Sequence, residues 1–168
     1  MSSGLRWIPA YIGIGSNLND PVRQVRAAIA LLGDLPDSRL VAVSALYRNP
    51  PMGPQEQPDF INAVAGLLTL QKPEVLLHSL QVLETRLGRV RKPGDRWGPR
   101  IIDLDLLVYG NLQQSVPGLN LPHPGIFERN FVLLPLCDIA PALQVPGQGI
   151  VAAMAAGLVL GAAGITAV

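Results

Sequence analysis

The sequence has one cysteine, Cys137, in 168 residues. A single thiol excludes a disulfide framework and a zinc site built on cysteines. It follows the apolar run Phe131 to Leu136 and reads as a small buried hydrophobe, not a nucleophile. An excess of either charge is also missing: 13 Lys and Arg against 12 Asp and Glu leave a net charge of +1. That balance excludes a general nucleic-acid coat protein and a polybasic membrane binder. Residues 1–9 carry one Arg and no apolar stretch, so no secretory signal and a reducing, cytoplasmic setting are expected. Gly13-Ile14-Gly15-Ser16-Asn17 has no Gly-Lys-Ser/Thr end and is too short for a dinucleotide fingerprint. Its glycines read as the point where a strand leaves a crowded sheet. Repeats and low-complexity linkers are absent. With 49% hydrophobic and 15% charged residues the chain is not disordered, and its length suits one domain, 1–168, with its own core.

The charges that are present are unevenly placed. Six of the 13 basic residues (Arg86, Arg89, Arg91, Lys92, Arg96 and Arg100) fall within one stretch, opposed there only by Asp95, and nothing after Asp138 is charged. An anion site in the middle of the chain and an apolar tail follow from this.

Periodicity predicts a strand at Tyr11 to Gly15 and a helix opened by Asp20-Pro21 and stopped near Gly33. Strands follow at Leu40 to Tyr47 and Phe60 to Leu70, separated by a loop with four prolines between Asn49 and Pro58. A second helix opens at Pro73-Glu74, carries Leu76, Leu80, Leu83 and Leu87 on one stripe and His78 on its surface, and closes at Gly88. A strand at Ile101 to Tyr109 completes the order β-α-β-β-α-β. This is a ferredoxin-like α+β arrangement with a largely antiparallel sheet. A helix near Phe131 to Ile139 and an Ala/Gly-rich helix over 149–168 would cover the other face and extend the core to a three-layer α-β-α sandwich. Residues 1–9 are an N-terminal extension. The tail is too weakly apolar and too poor in flanking Lys, Arg, Trp and Tyr for a membrane anchor, so a docked helix is expected.

Alternation in the last core strand puts Ile102, Leu104, Leu106 and Val108 on an aliphatic face and Asp103, Asp105, Leu107 and Tyr109 on the other. The two carboxylates project the same way, about 7 Å apart at the backbone. A hard divalent cation would relieve their repulsion, and Mg²⁺ takes one or two carboxylates plus substrate phosphates. A salt-bridged strand face is the alternative. Five cations nearby for two anions, with arginine forks that match phosphate oxygens, favour a metal–polyphosphate site. Trp97 would stack on a flat ring or clasp its loop. His123, between two prolines, has a fixed direction suited to phosphate contact or proton transfer. Phe60 and Asn62 share a strand face that suits a flat heterocycle, or a core Phe beside a satisfied Asn. A metal-dependent nucleotide hydrolase, a sugar-nucleotide transferase and a small nucleic-acid module using Trp97 remain open on these residues alone.

Arg96-Trp97-Gly98-Pro99-Arg100-Ile101-Ile102-Asp103-Leu104-Asp105-Leu106-Leu107 resembles the signature of the 6-hydroxymethyl-7,8-dihydropterin pyrophosphokinases. Tyr11 to Leu18 resembles the first strand of that family, and Tyr47 to Pro54 with Gln57 to Ala63 its pterin loop and following strand. Gly88 to Arg91 resembles its catalytic loop. Pro122-His123, Arg129 to Leu133 and Asp138 to Pro141 resemble its last third. The resemblance covers residues 10 to 145 and implies transfer of pyrophosphate from ATP, the co-substrate, to the pterin hydroxymethyl group in folate biosynthesis.

By the same resemblance Asp103 and Asp105 would bind two Mg²⁺ ions, and Arg89 and Arg91 would act with them in catalysis. Phe60 and Phe131 would sandwich the pterin, while Asn62 with Asn49, Pro50 and Met52 would bind its edge. Gln81, Glu84, Arg89, Arg91, Trp97, Arg100, Leu106, His123 and Arg129 would surround ATP. The family carries a tyrosine more often at Phe60, a threonine at Asn49 and an aromatic at Pro124. The implied partners are the two small-molecule substrates and other folate-pathway enzymes such as dihydropteroate synthase or the aldolase, with no nucleic acid and no membrane.

Overall fold

A computed structural model describes residues 4–54, 56–94, 96–126, 128–159 and 164–168. Asp95, the anion expected in the basic loop, lies outside the described residues, as do residues 1–3 of the N-terminal extension and 160–163 of the tail.

The chain runs β1 (Ile8–Ser16), α1 (Pro21–Gly33), β2 (Ser38–Val43), β3 (Tyr47–Asn49), β4 (Phe60–Thr69), α2 (Pro73–Arg86) and β5 (Asp103–Tyr109). Beyond these come the hairpin β6 (Gln114–Val116) and β7 (Leu119–Leu121), helix α3 (Asn130–Ile139), and the short pair β8 (Gln144–Val145) and β9 (Gly149–Ile150). Helix α4 (Val151–Val159) and strand β10 (Thr166–Ala167) end the chain. The main sheet is antiparallel and six-stranded, in the order β10-β3-β4-β1-β5, with β2 also paired to β4.

Helix α1 begins as its sequence predicts. The Asp20 carboxylate accepts from the Arg23 N–H, and Pro21 supplies a first-turn residue that needs no N–H partner. Its buried stripe of Val25, Ala28 and Leu32, with Leu76, Leu80 and Leu83 of α2, packs on Ile12, Ile14, Leu104 and Leu106. The opposite face of the sheet carries a second core, in which Leu133 and Leu136 of α3 and Val151 of α4 meet Val64 and Leu107.

Three elements differ from expectation. The strand expected over Leu40 to Tyr47 is broken into β2 and β3, because the chain has one more residue between Val43 and Tyr47 than β4 has between their partners Ala65 and Asn62. Ser44 bridges the break: its Oγ accepts from the Val64 N–H, and its own N–H donates to the Val64 carbonyl. In β5 the register shifts between the Tyr11–Val108 and Ile12–Leu106 pairs, leaving Leu107 as an extra residue. The bulge reverses the alternation, so Val108 joins the α3 core instead of the Leu104 face, and Tyr109 turns toward α1 and α2. The tail is not one helix over 149–168. Gly149–Ile150 pairs with β8, the described helix ends at Val159, and Thr166–Ala167 pairs with β3. Among the described residues no helix is long and apolar enough to cross a membrane.

Candidate active site

The register of three strands builds the floor. Gly15 lies between Asn62 on β4 and Asp103 on β5, and Gly13 between Val64 and Asp105. A Cβ on Gly15 would sit 2.7 Å from Asn62 Oδ1, and one on Gly13 would sit 3.3 Å from the Leu107 side chain. Glycine at both positions therefore leaves a trough in front of the carboxylates, a more specific role than leaving a crowded sheet. Above it opens a cleft of about 1270 Å³, larger than an ordinary single-ligand pocket of about 300–1,000 Å³.

The two aspartates share a face but not an environment. Asp103 Oδ1 accepts from Arg89 at 2.6 Å and Oδ2 from Arg100 at 2.9 Å. Burial opposes the Asp103 charge, but Arg100 and Arg89 outweigh it and hold the carboxyl below the usual carboxylate range. The Asp105 side chain, unlike its main chain in the β1–β5 ladder, has no hydrogen bond or ion pair among the described residues. Burial, then the charges of Asp103 and Glu84, push its carboxyl up to about 7, against a weaker pull from Arg129 and Arg100. A half-buried carboxylate without a paired cation, beside a second carboxylate, is a donor set suited to a hard divalent ion. Asp103 and Asp105 thus fit Mg²⁺, although no cluster of three His, Cys, Asp or Glu ligands occurs among the described residues.

Glu84, 1% exposed on α2, pairs with both Arg89 and Arg91. Burial raises its carboxyl despite these partners. Burial works against the Arg89 charge as well, yet Asp103 and Glu84 keep that guanidinium above its ordinary range. Arg89 is thus held from two sides. Arg91 has one partner and a side chain 61% exposed. The His123 main chain is fixed by donating to the Leu107 carbonyl at 2.7 Å, and its Nδ1 accepts from the Gly125 N–H at 3.1 Å. Burial, then Arg129, lowers its pKa, leaving a neutral ring whose other nitrogen carries the proton as a donor.

In the same cleft, Phe60 from the start of β4 and Phe131 from the first turn of α3 both line the wall, with Asn49, Met52 and Asn62. The Arg129 guanidinium lies 5.9 Å from the Phe131 ring centre. Asn62 donates its amide to Asn49 Oδ1, and the Asn49 amide donates to the Pro50 carbonyl. Trp97 is 45% exposed, lies against Gly53 of the proline-rich loop, and accepts from Gln57 Nε2 at its carbonyl.

Most of the expected residues converge on this cleft, but four side chains do not line it. Leu106 is buried in the α1/α2 core because it alternates away from Asp105. Gln81 is on the exposed side of α2, Glu84 is consumed by its arginines, and Pro50 lies beside the wall. Conversely, Asn17 lies just beyond the strand predicted over Tyr11 to Gly15 and has no role in the sequence pattern. It is a buried hub: its amide donates to Gln57 Oε1 and the Pro58 carbonyl, and its Oδ1 accepts from the Arg100 N–H. It joins the proline-rich loop to the basic loop. The available signal was a polar Ser16-Asn17 pair directly after an apolar strand.

Known proteins resemble this arrangement over nearly all of it. A protein from Pseudomonas aeruginosa, named 2-amino-4-hydroxy-6-hydroxymethyldihydropteridine pyrophosphokinase, is 48% identical over 136 residues, covering 81% of this chain and 83% of its own. One of the same name from Bacillus subtilis is 38% identical over 135 residues, covering 80% of each. Among solved structures, the wild-type Plasmodium falciparum HPPK-DHPS with pteroate superimposes with a TM-score of 0.73 at 12% identity. That match covers 95% of this chain but only 44% of the longer one, so it bears on the fold alone. The sequence model of 7,8-dihydro-6-hydroxymethylpterin-pyrophosphokinase (HPPK) matches residues 11–141, which span the trough, the basic loop and both aromatic walls, and the chain belongs to that family.

Proposed function

We propose that the cleft transfers pyrophosphate from ATP to the hydroxymethyl group of 6-hydroxymethyl-7,8-dihydropterin, the HPPK reaction of folate biosynthesis, with the residues in the following roles. The observation that carries the assignment of roles is the pair Asp103 and Asp105 on a glycine floor, one neutralised by arginines and the other left without a cation. The pterin hydroxyl oxygen bonds to the β-phosphorus and its proton is released to solvent, the bond from that phosphorus to the α–β bridging oxygen breaks, and AMP leaves with the oxygen.

Asp103 and Asp105 would hold two Mg²⁺ ions, which when bound polarise phosphoryl oxygens as Lewis acids. Phe60 and Phe131 hold the pterin ring between them, and Asn62 and Asn49 hydrogen-bond its polar edge with Met52 and Pro50 close by. Arg91, the most exposed of the paired arginines, swings onto the triphosphate when it leaves Glu84. Arg89, Arg100 and Arg129 stabilise charge on the transferring group. Neutral His123 donates its remaining N–H to a phosphate oxygen. Trp97 covers the site from the basic loop. Gln81 and Leu106 contribute through the main chain or outer surface.

The fold supports the same reading. With β2 and β3 counted as one interrupted strand beside β4, the order β-α-β-β-α-β with β1 and β4 central is ferredoxin-like, and α3 and α4 make it a three-layer sandwich in one domain. The name HPPK-DHPS on the solved relatives motivates a proposed association with a separate DHPS-type enzyme, to be checked by co-elution of the two purified proteins.

The test is turnover of ATP with Mg²⁺ in the presence and absence of the reduced pterin. AMP without ADP, formed only with the pterin, is the expected result. Nucleotide cleavage that ignores the pterin would support a metal-dependent hydrolase instead.

A further inference from the structure

We propose that Asp138 positions strand β3, and through it Asn49, so that the pterin slot keeps a fixed width. The inference rests on reading Phe60, Phe131, Asn49 and Asn62 as the pterin site.

The geometry begins with the weakness of β3. It has three residues and pairs with β4 through Tyr47–Asn62, Arg48–Ile61 and Asn49–Phe60. The break after Val43 separates it from the longer ladder of β2. A three-residue strand between β4 and the two-residue β10 is held weakly by its own ladders. Yet this strand carries Asn49, whose Oδ1 accepts from the Asn62 amide at the cleft wall.

Asp138 closes that break. Its Oδ2 accepts from the Ala45 N–H at 3.2 Å, inside the interrupted segment. Its two oxygens lie 2.9 and 2.8 Å from the Tyr47 hydroxyl. No cation pairs with Asp138 among the described residues, so the carboxylate spends its acceptors on β3 and the residues just before it. Burial and then Asp138 itself push the Tyr47 phenol up to about 12, so the donor keeps its proton at any ordinary pH.

Asp138 and Phe131 are seven residues apart on α3, two turns along one side of the helix. One end of α3 therefore presents the aromatic wall of the slot, and the other grips the strand that presents the polar wall. On its outer edge β3 also pairs with β10, and the Val168 N–H donates to the Leu46 carbonyl. Loss of the Asp138 contacts thus leaves β3 attached to the sheet but free to shift against α3. Asp138 and Tyr47 are positioning residues and touch neither substrate.

Tyr47→Phe and Asp138→Ala, the double variant and Phe131→Ala are compared with the intact chain. Equilibrium titrations use 6-hydroxymethyl-7,8-dihydropterin and a non-hydrolysable ATP analogue, beside kcat and Tm. The expected result is pterin affinity lowered about five- to thirtyfold in Tyr47→Phe and in Asp138→Ala, with ATP affinity and kcat within twofold in these two. The double variant should be no weaker than Asp138→Ala, because Tyr47→Phe removes only a contact that Asp138→Ala has already removed. Pterin affinity within twofold of the intact chain in both single variants would overturn the proposal. So would equal losses for pterin and ATP, or additive effects in the double variant. Phe131→Ala separates the two layers of the argument. If it too spares pterin affinity, the slot reading fails; if it weakens pterin while the other two do not, only the role of Asp138 fails.

Discussion

The two faces of the central sheet are put to different uses by the same strands. Under α1 and α2, β1 and β5 present Ile12, Ile14, Leu104 and Leu106, all buried and all aliphatic. On the reverse face the neighbouring positions are Gly13, Gly15, Asp103 and Asp105, and the helices α3 and α4 cover only the end near Val64 and Leu107. A period of two lets one strand contribute to packing and to chemistry without compromise between them. The difference teaches that stability and activity should separate cleanly by face, and substitutions can break or sharpen that separation.

The largest effect is expected at Asp105. Asp105→Asn should lower kcat by about 10²–10³-fold or more, because the proposed metal site loses a charge and no ion pair is disturbed. Asp103→Asn should be as inactive but also less stable, since Arg89 and Arg100 both lose their anion. Steady-state assays beside thermal melts distinguish the two; near-normal turnover in either would remove the metal assignment.

Next come the loop arginines. Arg91→Ala should lower kcat by about 10²-fold with Tm unchanged and ATP affinity little altered, if the side chain engages only the reacting complex. Arg89→Ala should add a stability loss, because buried Glu84 is then left with one partner. Equal losses in ATP affinity and rate would make both arginines ordinary ground-state binders.

Leu80→Ala tests the opposite face. Leu80 is fully buried, and its truncation should cost about 2–5 kcal/mol in denaturant unfolding while kcat per folded molecule is retained. A fall in kcat of the folded fraction would show that the faces are coupled. Phe131→Ala and Phe60→Ala should weaken pterin about tenfold or more and spare ATP. An aromatic contact contributes about 0.5–1.5 kcal/mol beyond area burial, and lost area adds to it.

The smallest effect is a pH dependence. The Asp105 carboxyl is raised from 3.8 to about 7, so the metal-free folded state holds a proton there that the unfolded chain has released. Stability is highest below pH 3.8 as far as this group is concerned, and is lost as pH rises toward 7. Asp103 works in the other direction, but its depressed carboxyl acts only below its ordinary value, so the windows do not overlap. Without divalent ions at pH 8, Asp105→Asn should therefore melt higher than the intact chain. The gain should be on the order of 1 kcal/mol, or about 2–4 °C for a domain of this size. A lower Tm for the variant would show that the carboxylate is stabilised by something other than a bound cation.

Local sequence determined what depends on neighbours along the chain. Asp20-Pro21 specified the start of α1, and the aliphatic spacing of α2 specified its buried stripe. Alternation along β5 by itself places Asp103 and Asp105 on one face. These follow from side-chain direction within a single element, which sequence periodicity encodes directly. The long motif from Arg96 to Leu107 also carried the family.

Tertiary structure decided what depends on the register between elements. The β5 bulge moved Val108 to the other core, and the extra residue after Val43 split the edge strand. Leu106 was expected near ATP and lies in the core, since its neighbour Asp105 takes the cleft side. The Asn17 bridge between two loops joins residues about forty and eighty positions away. Glu84 was assigned to ATP on resemblance, whereas packing surrounds it with Arg89 and Arg91. Each of these is set by which strand or loop arrives opposite a given residue, and that is chosen by the burial of the whole core rather than by any local pattern.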